Sequence, residues 1–203
     1  MTPTQSRAVP SQPYRLTLAL PLAGLILMIP KLAFAHVGLH DGHGFGAGLG
    51  HPVGGADHVL AMVTVGLWAA LSGGRAAWAM PAIFLAAMLV GGVLGAEGVQ
   101  LLGVEPMILA SIVVLGAAAG LAWRPSLAIA LAGITVFGLA HGYAHGAEGS
   151  AEFGYAAGFL LSTALLHLVG LAAGFGLIRA GQGAAARTAG GGAAVAGLVL
   201  AFG

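Results

Sequence analysis

The sequence predicts an all-α membrane protein, a six-helix transmembrane bundle that follows a cleavable N-terminal signal peptide. Three observations carry that expectation. With 59% hydrophobic and 6% charged residues among 203, the chain has too little charge to clothe a soluble domain of this size. Apolar stretches recur at close to the ~20 residues a helix needs to cross ~30 Å of hydrocarbon, which favours helices over a β-barrel. The connections between them alternate in charge, as the loops of a chain threaded repeatedly through a bilayer do.

Residues 1–35 read as the signal peptide. Arg7 and Arg15 precede an apolar run from Leu16 to Ile29, and Ala33-Phe34-Ala35 has the small-x-small form that signal peptidase cuts. Cleavage leaves His36 at the mature terminus. An uncleaved first transmembrane helix is the alternative, because Lys31 stands between the apolar core and the cut site. Residues 36–203 form the membrane domain, with 36–50 as a periplasmic His-rich segment. Six spans are expected, at about 52–71, 76–95, 106–123, 126–143, 153–178 and 184–203. The last is the weakest, since Arg187 must snorkel to the interface for it to span.

Loop charge supplies the orientation. Arg75, Arg124, Arg179 and Arg187 fall in the first, third and fifth connections, whereas the second and fourth hold Glu97 and Glu105, then Glu148 and Glu152. The positive-inside rule therefore puts the odd connections in the cytoplasm and the mature N-terminus in the periplasm of a multi-pass inner-membrane protein. The 36 glycines fit close helix packing in lipid.

Net charge of +1 and a single lysine exclude a nucleic-acid partner, and the absence of cysteine excludes disulfides and thiolate chemistry. Eight histidines are the anomaly. Ionisable groups inside spans are expensive, so each is a functional candidate. One cluster is His51-Pro52-Val53-Gly54-Gly55-Ala56-Asp57-His58, in which a continuous helix would put His51 and His58 on one face, two turns apart. Gly54-Gly55 weakens that helix, and an unwound turn there would free backbone carbonyls beside the side chains. A second cluster stacks His141, His145 and Glu148 on one face at spacings of four and seven. His167 stands alone, near the middle of the fifth span.

On the orientation above, both clusters lie at the periplasmic side, and His36, His40, Asp41 and His43 lead to them. Imidazole and carboxylate without thiolate suit nickel, cobalt, zinc or copper(II) and do not choose among them. Each feature has a plainer explanation. His167 is as well accounted for by a hydrogen bond between helices, the His36 to His43 stretch by a solvated tail, and Glu97, Glu105 and Glu152 by interfacial loop charge. Asp57 beside His58 resists such an account.

The pattern His51-Pro52-x-x-Gly55-x-Asp57-His58-x-Leu60-Ala61-Met62-x-x-Val65-Gly66-Leu67-Trp68 resembles the signature of the HupE/UreJ family of hydrogenase- and urease-accessory membrane proteins. His36-x-Gly38, Phe45-x-x-Gly48, His141-Gly142-x-Ala144-His145-Gly146-x-Glu148 and Leu166-His167-x-x-Gly170 extend the likeness over nearly the whole mature chain. The resemblance implies a secondary permease for nickel, with cobalt proposed for some members. It implies that His51, Asp57 and His58 are the essential metal set, with His36 and His40 at the entrance. His141, His145, Glu148 and His167 complete the metal residues expected on the path.

No Gly-x-x-x-x-Gly-Lys-Ser/Thr loop and no His-Glu-x-x-His pattern is present, so neither ATP hydrolysis nor a metallohydrolase is expected, and the chain reads as a non-enzyme. No permanently bound cofactor is expected. The partners are the transported Ni2+ or Co2+ and the lipid bilayer, and the sequence is compatible with a homo-oligomer. The rival from another class is a haem-binding membrane electron-transfer protein ligated by histidines on two spans, such as His145 and His167.

Overall fold

The computed structural model describes residues 44–148 and 152–203. The expected signal peptide, His36, His40, Asp41 and His43 lie outside the described residues. Among those described, the chain folds into helices without strands: α1 (Gly44–Gly54), α2 (Ala56–Ser72), α3 (Ala76–Ala96), α4 (Val104–Gly120), α5 (Leu127–Glu148), α6 (Phe153–Arg179) and α7 (Gly183–Phe202). The expected spans at 76–95, 153–178 and 184–203 agree with α3, α6 and α7 to within a residue or so.

Two expectations need correction. The first span, placed at 52–71, is not one helix, because α1 and α2 meet at Gly55 with a bend of 83°. Pro52 lacks the N–H that would bond back to residue 48, and Gly55 takes an extended conformation, φ −107° and ψ 123°, that ends one helix and opens the next. The count of six continuous spans also changes. Four helices, α3, α5, α6 and α7, are long and apolar enough to cross a membrane, and the bent α1–α2 pair makes a fifth if taken as one broken span. At 17 residues, α4 is shorter. It would cover about 26 Å at the helical rise.

Glycine sets the pairing. Gly138, Gly142 and Gly146 of α5 press on Phe84, Met88 and Gly92 of α3, so the two helices run parallel with a constant register. Likewise Gly170 and Gly174 of α6 meet Val63, Leu67 and Ala70 of α2, and Gly66 of α2 meets the His167 carbonyl. Helix α7 runs antiparallel to α4, with Gly120 against Gly191 and Gly197 against Ile112. Lipid tails give no hydrophobic drive for helices to associate, so close backbone approach at small residues supplies the van der Waals contact instead. Meanwhile Leu89, Val90, Leu168, Val169, Val195 and Val199 remain exposed on the outer faces of α3, α6 and α7. An apolar exterior of this kind on long apolar helices marks a membrane protein.

The two ends of the bundle differ. At one, Trp68 Nε1 donates to the Trp123 carbonyl at 2.9 Å, Arg124 Nη2 donates to the Leu71 carbonyl at 2.7 Å, and Arg187 Nε donates to the Gly120 carbonyl at 3.1 Å. Arg75 and Arg179 belong to the connections at this same end. Asp57, Glu97, Glu105 and Glu152 stand at helix termini of the other end. The core between them is built on Met62, Met80, Phe84, Met88, Leu115 and Ile134, each at most 1% exposed.

Candidate metal centre

The break at Gly55 positions the first pair of polar groups. Asp57 and His58 sit in the opening turn of α2, where a carboxylate is favoured by the helix dipole. Asp57 Oδ1 lies 3.0 Å from His58 Nδ1. His58 is buried, whereas Asp57 remains partly open. Both belong to α2, and they meet as consecutive residues of its first turn, just after the extended glycine.

Helix α5 brings the second pair. His141 and His145 are one turn apart and both buried. The ring of His58 stands 5.1 Å from that of His141 and 4.4 Å from that of His145, and His51, on α1, stands 4.8 Å from His145. Four imidazoles and one carboxylate therefore gather where α1, α2 and α5 meet, at the acidic end. The sequence placed these residues in two stations. Folding brings them side by side.

The glycines beside the histidines explain how α5 is held. In His141-Gly142-x-x-His145-Gly146, the histidine pair and the glycine pair occupy adjacent faces of one helix. The glycine face presses on the backbone of α3 at Met88 and Gly92. That contact leaves the imidazoles turned toward α2.

Supporting groups orient two of the rings. Ser111 Oγ donates its single proton to the Ile108 carbonyl at 2.6 Å and lies 2.9 Å from His141 Nε2. With its proton on the Ile108 carbonyl, the hydroxyl would accept from His141, an arrangement that assigns the Nε2–H tautomer and a lone pair on Nδ1. That Nδ1 is buried and has no hydrogen-bond partner among the described residues. A neutral imidazole held by an outer hydrogen bond, with its other nitrogen bare, is the usual state of a metal-ligating histidine. Phe159 packs on His145 at 4.1 Å, and Tyr155 stacks parallel to Phe159 beside His51.

A cavity of about 250 Å³ opens between α3, α5 and α6 beside this cluster. His145, Tyr155 and Phe159 line one part of it and Glu97 another. Sequence reasoning left Glu97 as a loop charge. Its position on the last turn before the α3–α4 connection carried no signal that a cavity reaching a histidine would lie beneath it.

His167 is not part of the cluster. It is fully buried at the middle of α6, with its ring against Phe84 at 5.1 Å, and Phe84 in turn lies 5.6 Å from His141. His145 and His167, the pair considered for haem, have different ring neighbours. Glu148 closes α5, and its side chain lies outside the described residues. Among the described residues, no group of three or more histidine, aspartate or glutamate side chains stands ready to hold one metal ion. The neighbouring rings meet edge to face, at 62° to 88°, so an ion arriving there would be met by rings that must turn to present their nitrogens.

With the geometry in view, comparison with known proteins adds the lineage. A family model described as "HupE / UreJ protein" matches residues 24–200. Protein HupE of Rhizobium leguminosarum bv. viciae is 43% identical over 182 residues, covering 87% of this chain and 94% of the relative. No solved structure matches. A family match across most of the chain, and a relative this similar over nearly its full length, place the chain in the HupE/UreJ family of membrane accessory proteins, which are not enzymes.

Proposed function

We propose that this protein carries a divalent transition-metal ion, nickel or in some settings cobalt, across the bacterial inner membrane toward hydrogenase, urease or cobalamin maturation. The observation that supports it most is the gathering of His51, His141 and His145 around the Asp57–His58 pair at the acidic end. A partly open carboxylate beside buried imidazoles at a helix break has a purpose if a doubly charged ion passes among them. The mature N-terminus and this cluster face the periplasm in our reading, with the arginine-bearing connections in the cytoplasm.

The proposed drive is the membrane potential, by uniport or with coupling to protons. An inward-moving doubly charged ion gains ~2.3 kcal/mol per charge per 100 mV, or ~4.6 kcal/mol in all. Asp57 supplies negative charge, His51 and His58 receive the ion with His141 and His145, and His36 and His40 serve the approach. Glu148, at the end of α5, belongs with His141 and His145, and His167 stands further along the path. Holding must stay loose, because a site as tight as a structural zinc centre would not release its ion.

The test is uptake of radiolabelled nickel and cobalt by cells carrying the wild type, Asp57→Asn or His58→Ala. Both variants should lose uptake. Uptake equal to wild type in both would end the assignment, and a Soret band near 400 to 430 nm in the purified protein would favour a haem carrier instead.

A further inference from the structure

We infer that His167 and Thr163 form an inner cation station, separated from the outer histidine cluster by the ring of Phe84. This rests on the transport reading above and adds a stopping place that the outer cluster does not supply.

The two residues are four apart on α6 and so share one face. Thr163 is 0% and His167 1% exposed. Neither ring nitrogen of His167, nor Oγ1 of Thr163, has a hydrogen-bond partner among the described residues. A polar side chain retained to tie helices together bonds to its neighbour, and most buried polar atoms are paired. These three atoms are not, so the helix-tying explanation open at the level of sequence does not describe them. What they offer together is an imidazole nitrogen and a neutral hydroxyl without a carboxylate. Such a partial set suits an ion that keeps some of its water and moves on.

Phe84 is placed to divide the two stations. It is fully buried, edge-on to His167 at 5.1 Å and 89°, and tilted against His141 at 5.6 Å. Its backbone is fixed by α5, where a Cβ on Gly138 would come within 2.8 Å of the Phe84 carbonyl. Passage between the stations therefore requires the ring to swing while the helix stays put. An aromatic face is also tolerant of a cation sliding past it.

The experiment uses the full chain reconstituted in liposomes, with nickel binding followed by calorimetry and transport by radiolabelled nickel. Thr163→Val removes an unbonded hydroxyl from a packed bundle, so the thermal unfolding temperature should hold or rise. Nickel binding at the outer cluster should stay within about twofold, while uptake falls about tenfold or more. Thr163→Ser should restore uptake. Phe84→Ala should speed nickel efflux from preloaded liposomes, and Phe84→Trp should slow it. The inference is overturned if Thr163→Val transports within twofold of wild type, if that variant is destabilised, or if both Phe84 variants move nickel at the wild-type rate. Asp57→Asn separates the two readings, because it should abolish binding as well as uptake. A wild type that moves no metal sinks the transport reading, and the inner station with it.

Discussion

The ring of His58 stands 4.4 Å from that of His145, joining the start of α2 to the last turns of α5 across 87 residues of chain. Groups that meet on one ion act as a unit, and removing the second costs little once the first is gone. Initial rates of nickel uptake should therefore fall about tenfold or more in His58→Ala and in His145→Ala, with the double variant no worse than the poorer single one. Multiplying losses would mean that the two rings serve separate stations, as their sequence positions suggest.

Gly55 separates the demands of the fold from those of the site. A Cβ built there would come within 2.6 Å of Asp57 Oδ1 and 3.1 Å of His58 Nδ1, yet its φ of −107° is one that alanine adopts freely. Gly55→Ala should thus fold, with a melting temperature within a few degrees of wild type, and lose most nickel uptake. A variant that folds and transports normally would show that the Asp57–His58 arrangement does not matter.

Ser111 lies 30 residues from His141 in sequence and 2.9 Å from it in space. Removing an outer-shell partner of this kind weakens metal binding by about 10- to 100-fold. Ser111→Ala should lose nickel affinity in that range by calorimetry, and Ser111→Thr should regain it. Nitrogen NMR of labelled histidine offers an independent check, since the Nε2–H form of His141 should give way to a mixture in Ser111→Ala.

The orientation can be read with thiol labels because the chain has no cysteine of its own. Leu102, 92% exposed in the α3–α4 connection, and Ala180, exposed between α6 and α7, stand at opposite ends of the bundle. A membrane-impermeant maleimide should modify Leu102→Cys in intact spheroplasts and Ala180→Cys only after permeabilisation. The reverse pattern would invert the path proposed for the metal.

Much of this was legible in the residues themselves. Length and hydropathy determined that the chain is helical and membrane-bound, since a backbone in lipid must satisfy its own hydrogen bonds and a spanning helix needs a fixed apolar length. Period and spacing put His141 and His145 on one face, and Gly54-Gly55 announced a weak point in the first apolar segment. The family resemblance followed from motifs that lie contiguous in the chain.

Tertiary structure decided what contiguity cannot encode. That Gly55 would break the first segment by 83°, that the His51–His58 and His141–His145 motifs would lie ring against ring, and that Ser111 would reach His141 all depend on which helices touch. Those contacts arise where small residues such as Gly142 and Gly146 let backbones close on Met88 and Gly92. Lipid provides no amphipathic stripe from which such pairings can be read, so the partner of a membrane helix emerges only when the whole bundle packs.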